Sequence, residues 1–141
     1  MLTAGGGAHP EVQMLQQSSN RNNAIASAAK RYDLEDRTLR FAKAVIEFVT
    51  ALPKTLSNLE ISRQLVRCAG SVGANYIEAN ESLGKKDFVM HIKISRKEAK
   101  ESRYWLQLVT CPRESEEEHQ KLIQEATELM KIFGAIVSRS L

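Results

Sequence analysis

The chain has 141 residues, of which 43% are hydrophobic and 26% are charged, so it is long enough for one domain with a hydrophobic core. Its net charge of +3 combines 20 basic and 17 acidic residues, and such a small excess does not by itself indicate nucleic-acid binding. Two cysteines give no disulfide framework, and no apolar run approaches the ~20 residues of a membrane span. We therefore expect a cytoplasmic protein without a cofactor.

The first 30 residues differ in composition from the rest. They contain Gly5-Gly6-Gly7 and the polar run Gln16–Asn23, which cannot bury enough apolar surface to offset the entropy lost on ordering. We predict that residues 1–30 form a disordered or partly helical leader with a short helix over Ala24–Arg31, and that residues 31–141 form the folded domain. We interpret the leader as a dispensable extension, with a recognition tail as the alternative.

The next segment shows apolar residues at helical spacing. It predicts a first long helix from about Leu34 to Leu52, with Asp33 as its N-cap and Pro53 ending it.

A second helix is predicted to begin at the capping-box sequence Ser57-Asn58-Leu59-Glu60. Its interior contains Gly70 and Gly73, and each glycine costs a helix about 1 kcal/mol relative to alanine. We interpret the two glycines as positions where a neighbouring helix or a second subunit approaches closely.

The third helix is predicted from about Lys85 to Thr110, and the fourth from a second capping box at Ser115-Glu116-Glu117-Glu118 to about Ser138. Four amphipathic helices of about 20 residues joined by short loops indicate an all-α fold. We predict an antiparallel up-and-down four-helix bundle that assembles as a closed homo-oligomer.

A polar row at helical spacing runs along the second helix: Gln64, Arg67, Ser71, Asn75 and Glu78. Buried Asn and Glu side chains need partners, because each unsatisfied group costs about 1–3 kcal/mol. We expect those partners to be basic residues of the third helix or Arg67 of a neighbouring subunit. The row, together with Trp105, is predicted to be a polar network or subunit interface that fixes helix register, and a ligand- or nucleic-acid-contacting row is the alternative.

The strongest functional signal is a basic stripe on the third helix, formed by Lys86, Lys93, Arg96, Lys97, Lys100 and Arg103 with Tyr104 among them. Such a stripe along a rigid helix can follow a phosphate backbone, and a tyrosine can stack on an exposed base. The alternative is an ordinary solvated face in which Glu98 and Glu101 pair with neighbouring basic residues.

Catalytic and metal sites are not predicted. The three histidines, His9, His91 and His119, lie far apart in sequence, and we interpret His91 as a hydrogen-bonded structural residue. Bundle metal sites use Glu-x-x-His pairs on facing helices, and we identify no such pair. Ser71 has no histidine nearby in sequence to act as its base, and Cys68 is assigned to packing.

The chain also resembles a known bacterial family of four-helix-bundle proteins encoded in 23S rRNA intervening sequences. The resemblance extends over about residues 32–138 and rests on the motifs Gln64-Leu65-Val66-Arg67, Ser71-Val72-Gly73-Ala74-Asn75-Tyr76-Ile77-Glu78-Ala79, Lys86-Asp87-Phe88 and Lys97-Glu98-Ala99-Lys100-Glu101-Ser102. Many relatives have Ile-Pro before the asparagine where this chain has Val72-Gly73-Ala74, a departure that concerns helix geometry.

This resemblance implies a closed ring, a homopentamer in relatives, with no enzymatic activity. It also implies kinship with the accessory protein of diversity-generating retroelements, a basic ring that binds RNA or DNA and docks on a reverse transcriptase. Our leading hypothesis is therefore a non-enzymatic homo-oligomer that binds structured RNA or a nucleoprotein through the third helix. A protein-only interaction scaffold is the main alternative, and an enzyme with a site at Ser71, Asn75 and Glu78 is the least favoured.

Overall fold

The computed structural model of the chain describes residues 9–141, except for the side chains of residues 27–32. Four α-helices follow one another within this range: α1 (Pro10–Thr50), α2 (Leu56–Asn80), α3 (Lys85–Leu108) and α4 (Glu116–Ser140), with a 3-10 turn at Arg113–Ser115 before α4. No strand occurs between residues 9 and 141. The all-α class predicted from the sequence is confirmed.

The first helix begins much earlier than predicted. It starts at Pro10 rather than near Leu34, and Asp33 lies inside it instead of capping it. Proline suits the first position of a helix because its missing N–H has no intrahelical acceptor there. The predicted leader is therefore helical from Pro10 onward, and its residues 1–8, including Gly5-Gly6-Gly7, lie outside the described residues.

The chain divides into two units at the Asp33–Leu34 boundary. In the first unit, every described side chain from His9 to Ala26 is exposed. This stretch is rich in Gln, Asn and Ser and has no apolar stripe, so its helix has no hydrophobic face to bury.

The second unit, Leu34–Leu141, contains the hydrophobic core. Each of its helices contributes a stripe of buried side chains, and the largest fully buried ones are Phe133, Leu65, Ile92, Leu106 and Leu129. Side-chain contacts join α1 to α2, α2 to α3, α3 to α4 and α4 to α1. This is bundle-like packing around one core.

Small residues let α3 approach its neighbours in mid-helix. Ser95, Ala99 and Ser102 have no exposed surface. The Ser95 hydroxyl donates to the Val72 carbonyl at 2.9 Å and the Ser102 hydroxyl to the Glu98 carbonyl at 2.8 Å. The buried hydroxyls are thereby satisfied, which avoids the cost of leaving them without partners.

The two glycines of α2 have different environments. A Cβ atom at Gly73 would lie 2.8 Å from Thr38 Oγ1 and 3.2 Å from Thr38 Cβ, whereas a Cβ at Gly70 would meet nothing within 4 Å. The predicted close approach of a neighbouring helix is therefore confirmed at Gly73, where α1 crosses. At Gly70 no described residue of the chain approaches, so the approach of a second subunit remains a prediction there.

The predicted capping box of α2 is wrong, and that of α4 is right in its N-cap residue, Ser115, but not in its side-chain hydrogen bond. The N-cap of α2 is Thr55, whose hydroxyl accepts a hydrogen bond from the Asn58 amide at 3.2 Å, so the helix begins ahead of Ser57. Ser115 makes no side-chain cap because the 3-10 turn runs directly into α4.

Asn58 joins two loops through its side chain. Its side chain is 2% exposed, and its Nδ2 donates to the carbonyls of Pro53 at 3.0 Å and Thr110 at 2.9 Å. The Thr110 amide returns a hydrogen bond to Asn58 Oδ1 at 3.0 Å. One asparagine therefore fastens the α1–α2 loop to the segment that follows α3.

Among the helices of residues 9–141, none combines the length and apolarity needed to cross a membrane.

Candidate nucleic-acid interface

The structure places the predicted basic stripe on one face of α3. Lys86, Lys93, Arg96, Lys97 and Lys100 are exposed and Arg103 is half-buried. At about 100° per residue these side chains occupy roughly one third of the helix circumference, and Arg96 and Arg103 border the buried stripe that contains Ile92, Ala99 and Leu106. The stripe is thus a continuous outward-facing surface.

The charges of this stripe are not neutralised within the described part of the chain. None of its six Lys and Arg residues lies within 4.0 Å of a described carboxylate, whereas Arg37, Arg40, Arg63 and Lys121 on the other helices all form such pairs. Since surface pairs lower the charge available to a ligand, the α3 stripe keeps six basic groups that are not engaged in close ion pairs with described residues.

The two acidic residues in the middle of α3 point away from the stripe. Glu101 Oε2 accepts a hydrogen bond from the Cys68 thiol of α2 at 3.6 Å. Burial, followed by the neighbouring carboxylates of Glu98 and Glu101, raises the pKa of Cys68 to about 12. The alternative in which these glutamates pair with the basic residues of the stripe is not seen among the described side chains.

One end of the stripe borders an open groove of about 1140 Å³ between the start of α3 and the end of α4. Its apolar surface comes from Val89, Met90, Ile94 and Leu141, and lysines stand along it: Lys85, Lys86, Lys93 and Lys97. Met90 is 47% exposed although it is apolar. An apolar surface beside ammonium groups can accept a base or an apolar side chain next to an anion.

Tyr104 extends the stripe toward the other end of α3. Its ring is 56% exposed and packs edge-on against Trp105, with ring centroids 5.2 Å apart and planes at 70°. Trp105 is half-buried, so it holds the tyrosine ring in place while leaving its outer face open. A fixed exposed aromatic among cations is suited to stacking on an unpaired base.

The polar row of α2 is less buried than predicted. Gln64, Arg67 and Glu78 are exposed, while Ser71 and Asn75 are half-buried. The partner of Asn75 is not a lysine or arginine: its Nδ2 donates to the Ser71 carbonyl at 2.9 Å, and its Oδ1 lies 3.4 Å from His91 Nδ1. His91 is thus the hydrogen-bonded structural histidine that the sequence predicts, and the row does not form one closed network within the described chain.

A second group of polar residues lies where the α3–α4 loop enters α4. Burial, and then a hydrogen bond to Glu116, raises the pKa of the Cys111 thiol. The Glu116 carboxylate has a lowered pKa, chiefly because it accepts hydrogen bonds from Gln120 and Cys111. Glu116 and His119 have the Glu-x-x-His spacing that we did not identify in the sequence, so that observation was wrong.

The outer surface of α4 is rich in glutamates, and Glu117 pairs there with Lys121 at 3.3 Å. A shallow depression there is lined by Glu117, Gln120, Lys121, Gln124, Glu125 and Glu128. Arg37 of α1 binds Glu125 at 2.6 Å and Glu128 at 2.8 Å. The second unit therefore has one basic and one predominantly acidic helix face.

These observations define an all-α, bundle-like protein with a basic outer face. A family model for the 23S rRNA-intervening sequence protein matches residues 30–135, and the chain belongs to that family. It is also similar to a crystal structure from Bacteroides thetaiotaomicron, described as a protein with unknown function from the S23 ribosomal protein family, with 29% sequence identity and a TM-score of 0.61. That similarity covers 77% of this chain and 98% of the other. No curated protein sequence matches the chain.

Proposed function

We propose that the protein is a non-enzymatic, cytoplasmic up-and-down four-helix bundle that assembles as a closed homo-oligomer, a pentamer, and binds structured RNA through α3. The four-helix topology is supported by contacts between each helix and two others. The ring is supported by the resemblance to the family, and the match of the family model to residues 30–135 supports that resemblance independently.

The single observation that carries RNA binding is the unpaired basic stripe. Six Lys and Arg side chains share one face of α3 without a carboxylate within 4.0 Å among the described residues. Contacts of Lys and Arg with phosphates release counterions, and this release supplies most of the sequence-independent affinity of nucleic-acid-binding proteins. In a closed ring the stripe recurs on every subunit, which raises avidity for one long ligand.

The test is binding of a fluorescently labelled RNA hairpin, followed by anisotropy at low salt. We expect Lys93→Gln, Lys97→Gln and Lys100→Gln together to weaken binding strongly. The matched control replaces Lys43, Lys54 and Lys131, three exposed lysines on other segments, and changes the net charge equally. Absence of binding by the unaltered protein, or equal loss in both triple variants, would contradict the proposal.

A second candidate function is a protein-only scaffold. It is favoured by the glutamate-rich surface of α4, where Glu117 and Glu128 would exchange their pairs with Lys121 and Arg37 for the α3 lysines of another subunit. In that case the Lys93/Lys97/Lys100 variant should lower the oligomeric mass in light scattering. An unchanged mass would exclude a role of the α3 lysines in subunit contacts and leave the stripe free for RNA.

A further inference from the structure

Three potential metal ligands converge where the α3–α4 loop meets α4: Cys111 in the loop, Glu116 at the first position of α4, and His119 one turn later. Their ligand atoms all lie within 4.8 Å of one another. The Cys111 Sγ is 3.4 Å from Glu116 Oε2, and His119 Nδ1 is 3.7 Å from Glu116 Oε1. These residues lie outside the basic stripe and have no part in the proposed RNA binding.

His119 provides an independent sign that this cluster can bind a ligand. The residue is only 8% exposed, and its Nδ1 is a buried nitrogen with no hydrogen-bond partner among the described residues. Buried polar atoms in native proteins nearly always have a partner, so an orphan of this kind requires an explanation.

The other ring nitrogen determines what the orphan can bind. His119 Nε2 is hydrogen-bonded to the backbone carbonyl of Leu106, and because a carbonyl only accepts, Nε2 must carry the proton. In a neutral imidazole Nδ1 is then a bare lone pair. The ring is also held by stacking on Phe48, with centroids 5.5 Å apart and planes at 1°, and its Nδ1 lies 3.7 Å from Glu116 Oε1.

We propose that Cys111 Sγ, a Glu116 carboxylate oxygen and His119 Nδ1 bind a zinc ion, with water as the fourth ligand. Tetrahedral zinc with bonds of about 2.3 Å to sulfur and about 2.0–2.1 Å to nitrogen or oxygen places neighbouring ligand atoms roughly 3.3–3.6 Å apart. Cys111 Sγ lies 3.4 Å from Glu116 Oε2 and His119 Nδ1 lies 3.7 Å from Glu116 Oε1. Both separations are near this value but involve different carboxylate oxygens, so a small rotation of the exposed Glu116 side chain would bring one oxygen to both ligands. Binding replaces the thiol proton, which passes to solvent.

The Leu106 carbonyl then has the role that a backbone carbonyl commonly has behind a zinc-bound histidine. Donation of the second ring N–H to such a carbonyl fixes the tautomer and the ring orientation of the ligand. Cys111 is half-buried and Glu116 is exposed, so the ion can enter from solvent. Bound zinc would join the α3–α4 loop to the first turn of α4.

The chain contains its own comparison site. Cys68 lies beside Glu98 and Glu101 with ligand atoms also within 4.8 Å of one another, but Cys68 is 4% exposed and the group includes no histidine. It lacks both the entry path and the fixed nitrogen lone pair, so we expect it to bind no metal.

The experiment uses the full chain, freed of metal with a chelator and titrated with Co²⁺ as a spectroscopic substitute for zinc. We expect one Co²⁺ per chain, visible bands of a four-coordinate ion, a thiolate-to-cobalt charge-transfer band, and displacement of all these bands by Zn²⁺. Cys111→Ser should abolish the charge-transfer band, and Cys68→Ser should leave it intact. No such band with the unaltered protein, or a band lost in Cys68→Ser but retained in Cys111→Ser, would overturn the assignment.

Because His119 is part of the core, its replacement can unfold the protein, so a surface ligand gives the cleaner affinity test. Glu116→Gln should weaken Zn²⁺ binding by more than about tenfold in calorimetry. Glu117→Gln, one residue away and also exposed, should bind Zn²⁺ as the unaltered protein does. Equal affinities of the two variants would remove Glu116 from the site and contradict the proposal.

Discussion

Replacing each α2 glycine with alanine should have different effects on stability. At both positions alanine improves helix propensity by about 1 kcal/mol. At Gly70 nothing opposes this gain, since a new Cβ would meet no atom within 4 Å. At Gly73 the new Cβ would lie 2.8 Å from Thr38 Oγ1, closer than non-bonded atoms tolerate.

Thr38 cannot easily move away from that contact. It is 1% exposed, and its hydroxyl donates to the carbonyls of Leu34 at 2.8 Å and Glu35 at 3.0 Å. Overpacking of a well-filled site costs about 1–3 kcal/mol. Because the propensity gain is common to both variants, Gly73→Ala should be less stable than Gly70→Ala by about 1–3 kcal/mol.

The assay is urea unfolding followed by circular dichroism at a fixed protein concentration, since oligomers are stabilised by mass action. In a Thr38→Ala background the penalty at Gly73 should shrink, with a coupling energy of about 0.5 kcal/mol or more. Equal stabilities for the two glycine variants would refute the close-approach argument. A loss of stability in Gly70→Ala would instead show that another surface, such as a second subunit, covers this side of α2.

Other consequences can be tested in the same way. Asn58→Ala should lower the free energy of unfolding by at least about 2 kcal/mol, because it leaves backbone groups of both attached loops without partners; urea unfolding measures this, and a change below about 0.5 kcal/mol would contradict the bridging role. Iodoacetamide at pH 8 should modify Cys111 and spare Cys68, whose pKa is raised to about 12; peptide mass spectrometry decides, and equal labelling would contradict the burial of Cys68. An unfolded thiol ionises near pH 9.0 while the folded Cys68 keeps its proton to about 12, so Cys68→Ser should reduce the loss of stability seen as pH rises above 9.0.

Much of the fold could be predicted because the signal is repeated along the chain. The apolar stripes of α2, α3 and α4 recur over several turns, so small local errors do not change the assignment. Helix starts depend on single residues instead. Thr55 competes successfully with Ser57 for the cap of α2, and Pro10 begins α1 where polar composition indicated disorder.

The candidate sites also differ in whether they depend on one helix or on contacts between elements. The basic stripe is a property of one helix, so its spacing alone places Lys93 and Lys100 on a common face. The orphaned nitrogen of His119 depends on the Leu106 carbonyl of another helix and on the orientation of a loop cysteine. Sequence could have supplied the Glu-x-x-His spacing of Glu116 and His119, but the third ligand and the buried lone pair require the tertiary structure.

The most direct test of RNA binding through α3 is the salt dependence of the affinity for one RNA hairpin. Each phosphate contact contributes about 0.7–0.9 to the slope of log affinity against log salt. The triple Lys93/Lys97/Lys100 variant should therefore have a slope shallower by about 2–3 than the unaltered protein, and the Lys43/Lys54/Lys131 control should keep the original slope. Equal slopes for all three proteins would contradict the account.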